Sequence, residues 1–302
     1  MGENMSEPTW RQGPPRKILL ATDLSSRCDR ALDRAAQLAG MWGCPVVALH
    51  VLDAAPDALT QRRLEDLPSW RRPPDRAPAI AAQLRRDLAA DLPGLEVRVE
   101  EGPTAETIDA VASETGADLI VTGVARNETF GRFFLGATVE RLLRRTRVPV
   151  LVVQNRVRPY GEILVATDFS DSSRHALDAA AAFFPDSPLT LLHAYETPFA
   201  LHLDSDDFGK QIRSMEQKAS DEFVAASPLS PEQRRRLRVL VEHGRPEALI
   251  GAYMRDRPAD LVVLGSHGRG AVFEALIGST AKRILEAAPG DVLLVRDPRS
   301  VR

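Results

Sequence analysis

Short runs of Val, Ile and Leu alternate along the chain with longer stretches whose apolar residues recur every three or four positions. That alternation predicts strands separated by helices. In the first half the strand-like runs are ILLAT (18–22), VVALHV (46–51), LEVRV (95–99), DLIVTG (118–123) and VPVLVV (148–153). Their length and their content of branched side chains suit β-structure. Between the first two, Ala31, Leu32, Ala35, Ala36, Leu38 and Ala39 share a broad face of a 3.6-residue period, and Ala176, Leu177, Ala180 and Ala181 repeat it later in the chain. Several runs are apolar throughout, as expected of parallel strands covered by helices on both faces. The pattern predicts a five-stranded, doubly wound α/β fold.

The pattern occurs twice. KILLATDLS (17–25) returns as EILVATDFS (162–170), ADLIVTG ending at Gly123 as ADLVVLG ending at Gly265, and VPVLVV ending at Val153 as DVLLV ending at Val295. Asp23 and Asp168 are 145 positions apart, His50 and His193 143, and Gly136 and Gly278 142, so the copies differ by small loop changes. A unit this long is a whole domain and not a solenoid repeat. The expected organisation is an N-terminal tail (1–15), a first domain (16–153), a polar linker containing Pro159 and Gly161 (154–161) and a second domain (162–297).

Composition narrows the function classes. The 302 residues carry 39 basic and 42 acidic side chains, a balance that argues against a general nucleic-acid binder. No run approaches the roughly 18 apolar residues of a membrane span, and the polar start MGENMSEPTWRQGPPRK is unlike a signal peptide, so a cytoplasmic protein is expected. Cys28 and Cys44 are too few for a zinc cluster or a disulfide framework and read as small buried or half-buried residues, with reactive thiols as the alternative.

In an open parallel sheet, ligands bind beyond the carboxyl ends of the strands. In the second half those positions hold Thr167, Asp168 and Ser170, then His193 and Ala194, then GSHGRGAVFEALIGST (265–280). Gly265, Gly268 and Gly270 allow close backbone approach, while Gly278, Ser279 and Thr280 open a helix whose N–H groups and dipole favour an anion. A phosphate is the expected guest. The spacing Gly265-x2-Gly268-x9-Gly278-Ser279, with ATD upstream and the whole unit repeated, resembles the nucleotide-binding pattern of the universal stress protein family over nearly the entire chain.

That resemblance implies two tandem domains of the adenine-nucleotide alpha-hydrolase-like fold, with strand order 3-2-1-4-5. It implies that Ala166, Thr167 and Asp168 line the ribose and adenine side of a pocket and that the backbone at Ala194 meets the adenine edge. Gly265, Gly268, Gly278, Ser279 and Thr280 would hold the phosphates of ATP, with ADP and AMP as alternatives and magnesium left open as the nucleotide's companion. Asp168 and Ser170 also suit simple capping of the following helix. The resemblance further implies that the two domains pair through their last strands, and it makes a homodimer of chains a plausible further step.

The first half departs from the pattern. Its corresponding residues are Thr22, Asp23, Val51, Gly123, Arg126, Gly136 and Thr138, with arginine in place of the second glycine and Ala137 in place of the Ser/Thr. Arg126 either fills the phosphate volume, which weakens this site, or supplies a cation to it; weakening is the reading adopted. His267 and Arg269 could reach a γ-phosphate or simply face water, and His50 and His193 suit local hydrogen bonds better than a metal site. Arg141, Arg144, Arg145, Arg147 and Arg234 to Arg236 read as solvated helix faces. Residues 53–78, with five prolines, are expected to be a mobile flap.

No Walker loop and no nucleophilic triad is legible in the sequence. The expectation is therefore a tandem protein that binds ATP chiefly in its second domain and acts as a nucleotide-dependent stress-response regulator, with slow hydrolysis at most. A nucleotide-free interaction module and an enzyme splitting ATP between its α and β phosphates are the alternatives.

Overall fold

The computed structural model describes residues 13–24, 28–52, 66–71, 76–88, 92, 94–124, 136–196, 206–266 and 277–296. The apolar runs form strands: β1 (Ile18–Ala21), β2 (Val46–Leu52), β3 (Glu96–Glu101), β4 (Leu119–Gly123) and β5 (Val150–Val153), then β6 (Glu162–Thr167), β7 (Leu189–Tyr195), β8 (Arg238–His243), β9 (Ala259–Gly265) and β10 (Asp291–Val295). The periodic stretches form α1 (Asp29–Trp42), α2 (Arg76–Leu88), α3 (Thr104–Thr115) and α4 (Ala137–Arg145) in the first half. Those of the second half are α5 (Asp171–Phe183), α6 (Asp206–Ala225), the short α7 (Pro231–Arg236), α8 (Pro246–Asp256) and α9 (Ser279–Ala287). Of the expected flap at 53–78, residues 53–65 and 72–75 lie outside the described part, Ser69–Arg71 form a 3-10 turn, and residues 76–78 already belong to α2.

The ten strands of the described residues join one sheet in the order β3-β2-β1-β4-β5-β10-β9-β6-β7-β8. Each half thus has the order 3-2-1-4-5 in its own numbering, and every pairing within a half is parallel. At the centre, β5 and β10 run antiparallel, with Val152 opposite Val292, Leu151 opposite Leu293 and Val150 opposite Leu294. Two strands buried on both faces, which would each expose a ladder of unpaired amides, satisfy each other.

Helices cover both faces. On one, α1 and α5 bury Ala31, Ala35, Leu38, Ala176, Leu177 and Ala180 against alternate strand residues such as Leu20, Val121, Leu151, Val165 and Leu293. On the other, α3, α4, α8 and α9 bury Ile108, Leu142, Ile250 and Ile284 against Leu19, Ile120, Val152, Val262 and Leu294. Each cluster crosses from one half of the chain to the other, so neither half has a private core.

The join also carries a polar knot. Asp291, at the start of β10, is fully buried and accepts from Gln154 N at 2.9 Å, Asn155 N at 3.0 Å and the Tyr160 hydroxyl at 2.8 Å. Arg34 of α1 completes it, with Nε 3.0 Å from the Asp291 carboxylate and its guanidinium 4.1 Å above the Tyr160 ring. Arg34 also donates to the Arg158 carbonyl at 2.6 Å. Burial and the neighbouring carboxylate hold the Tyr160 phenol well above its ordinary range. A charged side chain inside α1 is what the apolar periodicity of that helix would not suggest; Arg34 is tolerated because every buried charge here is paired.

Candidate functional site

The carboxyl ends of β6, β7 and β9 and the start of α9 converge in the second half. After β6 the chain turns sharply at Phe169, whose φ of 63° is uncommon for a non-glycine residue. Side chains on either side hold the turn. Thr167 Oγ1 accepts from Phe169 N at 2.9 Å and shares a hydrogen bond with Ser173 Oγ at 2.9 Å. Asp168 Oδ1 accepts from Ser170 N at 3.1 Å and Ser170 Oγ at 2.6 Å. Ser170 in turn caps α5, accepting from Ser173 N at 3.2 Å. The capping expected of Asp168 and Ser170 is thus split: Ser170 is the cap and Asp168 fixes Ser170. Ala166 is half-buried next to them.

β7 lies alongside, with His193 opposite Thr167. His193 Nδ1 is 2.8 Å from the Thr167 carbonyl oxygen, and Nε2 is 3.2 Å from Glu216 Oε2 on α6. Its ring lies on that of Phe169, centroids 4.1 Å apart, and parallels Tyr195 at 6.4 Å. Ala194 follows at the strand end, half-buried.

Gly265, ending β9, touches the first turn of α5: a β-carbon there would lie 2.6 Å from Ser172 Oγ and 2.7 Å from the Ser172 carbonyl carbon. The glycine is therefore required by packing whatever binds nearby. Ser266 N donates to the Val295 carbonyl at 3.0 Å, and the Ser266 carbonyl accepts from Gly278 N at 2.9 Å. The last bond refines the expected cradle, because the Gly278 N–H is already engaged. The orphan donors left to an anion are the next N–H groups, of Ser279, Thr280 and Ala281, in the first turn of α9. Ser279 is exposed, and the half-buried Thr280 accepts from Arg283 Nη2 at 3.2 Å. Arg283 is held in turn by Glu247 of α8, 3.4 Å from its Nε. Gly268, Gly270, His267 and Arg269 lie outside the described residues.

The first half repeats the turn. Leu24 has φ 62°, its N–H donates to Thr22 Oγ1 at 3.1 Å, and His50 Nδ1 is 2.9 Å from the Thr22 carbonyl. Gly123 ends β4, Gly136 is the N-cap of α4, and Thr138 is exposed in its first turn. Val51 is half-buried on β2, and Asp23 is exposed. Cys28 stands where the second half has Ser173, and burial pushes its thiol up to about 11. Arg126 falls outside the described residues.

The model of the universal stress protein family matches residues 15–154 and again 159–296. The chain belongs to the universal stress protein family. Among its relatives are a universal stress protein of Mycolicibacterium smegmatis, 28% identical over 298 residues that cover 92% of this chain and 96% of the relative. Another, from Mycobacterium tuberculosis H37Rv, is 28% identical over 309 residues, covering 97% and 99%. A universal stress protein structure from Archaeoglobus fulgidus superposes with a TM-score of 0.64 at 20% identity over 93% of this chain and 98% of that one, which shows a shared fold.

Sequence reasoning did not single out Phe169, Ser172, Ser173, Tyr195 or Glu216. The serines sit just past a capping residue and were legible as a helix start. Glu216 carries no local signal, because its role arises from the way α6 docks. Among the described residues, no group of three or more His, Cys, Asp or Glu side chains could hold a metal ion, and no described helix is long and apolar enough to cross a membrane.

Proposed function

We propose that this universal stress protein binds an adenine nucleotide, ATP in the first instance, in its second half, and that the first half serves as its structural and regulatory partner in the cytoplasm. The observation that carries the reading is the convergence of the Thr167–Ser170 turn, the end of β7 at Ala194 and the first turn of α9 at one end of the sheet. Asp168 offers acceptors suited to ribose hydroxyls, and the α9 N-terminus offers donors suited to phosphate. Ser279 and Thr280 add hydroxyls, and magnesium would enter with the phosphates. The first half keeps the turn but replaces a glycine by Arg126 and a hydroxyl donor by Ala137, which supports weaker binding there. The pairing of β5 with β10 supports a tandem in which the two halves form one unit, and any further association of chains would use other surfaces.

The test is the nucleotide released per mole when the purified chain is denatured, compared with Gly268→Arg and Gly278→Asp variants. Gly278 has φ −55° as an N-cap, a conformation in which aspartate is a good cap, so Gly278→Asp keeps the fold while placing a negative charge where phosphate would sit. About one equivalent in the wild type and none in Gly278→Asp is expected. No copurified nucleotide and no uptake at millimolar ATP would instead favour an interaction module. AMP and pyrophosphate formed together on turnover would favour the α,β-cleaving enzyme.

A further inference from the structure

His193 faces two acceptors at once. The Thr167 carbonyl, 2.8 Å from Nδ1, can only accept, so Nδ1 carries a hydrogen. Glu216, 3.2 Å from Nε2, accepts as a carboxylate and donates only when protonated. A neutral imidazole with its hydrogen on Nδ1 presents a lone pair to that carboxylate, which is repulsive. The contact is attractive when one further proton is present, either on Nε2 or on Glu216.

We infer that α6 is held against the Thr167–Ser170 turn by a proton shared between His193 and Glu216, which makes the docking of this helix, and with it the second-half site, responsive to pH. The part of this concerning the site rests on the nucleotide reading above; the clasp itself does not. His193 is buried and in contact with the Thr167 carbonyl, the Phe169 and Tyr195 rings and Glu216, so its proton is felt on β6, β7 and α6 together. Among the described residues, other titratable or charged side chains on the elements packed here are Asp168 after β6, Arg174 on α5, Tyr195 on β7, Glu242 and His243 at the end of β8, and Arg213 one turn before Glu216 on α6. His243 meets Tyr195 edge-on at 5.4 Å. Arg174 lies 4.4 Å above the Phe223 ring and donates to the Phe223 carbonyl at 3.2 Å. That second anchor does not involve the His193–Glu216 contact, so the C-terminal end of α6 stays docked while the part around Glu216 is released.

The test is amide hydrogen exchange of the full chain without added nucleotide, corrected for intrinsic rates, between about pH 5 and 8. Exchange across residues 210–219 is expected to rise about tenfold with pH, the scale of one charge-assisted hydrogen bond, while residues 220–225 change little. In Glu216→Gln the side-chain amide can donate to a neutral Nε2, so the helix stays protected and the pH dependence flattens; Glu216→Ala loses the protection at every pH. A wild-type profile that is flat, or a Glu216→Gln profile as steep as the wild type, would overturn the inference. Because no nucleotide takes part, failure of the clasp and failure of nucleotide binding are read separately.

Discussion

At Gly265 the chain has no room for a β-carbon, since the Ser172 carbonyl carbon and oxygen would lie 2.7 and 2.8 Å away. These are backbone atoms of a capped helix start and cannot swing aside as a side chain would. Gly265→Ala should therefore push the end of β9 away from α5, cost about 1–3 kcal/mol in urea unfolding and weaken nucleotide uptake. An alanine variant with wild-type stability would show that this contact can relax. Cys28 makes a different point about the same turn in the other half. Burial, with Asp23 beside it, pushes its thiol up to about 11, so the folded state holds the proton more tightly than the unfolded chain with its ordinary value of about 8.5. Stability should decline as pH rises from about 8.5 towards that value. At about pH 8, on the order of one thiol in a thousand is ionised, and iodoacetamide should alkylate Cys28 about a hundredfold more slowly in the native chain than in urea. Native alkylation as fast as in urea would contradict that burial.

Among the elements, strands and amphipathic helices were legible where one period dominated. ILLA, VVALHVL and LIVTG are buried runs with no competing pattern, and they became β1, β2 and β4. In α1, Ala31, Ala35, Leu38 and Ala39 are buried as the 3.6-residue period implies. Arg34 broke the pattern because its partner, Asp291, is brought to it by tertiary structure, and no periodicity encodes a partner. The candidate site was legible in the same uneven way. Thr167, Asp168 and the Gly278–Thr280 helix start could be found because turns and helix N-termini have local residue preferences. The engagement of the Gly278 N–H by Ser266 and the reach of Glu216 to His193 depend on how β9, α9 and α6 pack, so they could not. The positive φ shared by Leu24 and Phe169 was also hidden, since neither residue type announces it; the threonine hydroxyl two residues earlier makes it affordable in both halves.

For the whole molecule, the continuous sheet and the two core clusters that cross between the halves imply that the chain unfolds as one unit. The central contacts are the short β5–β10 ladder and the Asp291 knot, which ties α1 of the first half, the connecting segment at Gln154, Asn155 and Tyr160, and the last strand of the second half. Removing one partner of a buried ion pair leaves the other charge uncompensated, which typically costs about 3–5 kcal/mol. Asp291→Ala strands the Arg34 guanidinium, two backbone N–H groups and the Tyr160 hydroxyl together, so its loss should reach that range. Asp291→Asn keeps an oxygen for the backbone N–H groups but removes the charge, and should fall between. Urea unfolding followed by circular dichroism is expected to show a single transition in the wild type. In Asp291→Ala, the transition should shift to lower urea and broaden as the halves begin to unfold separately. A wild-type midpoint and slope in Asp291→Ala would mean that the β5–β10 ladder and the shared apolar clusters hold the halves together without the knot. The buried charge would then serve to fix their register and would add little to their attraction.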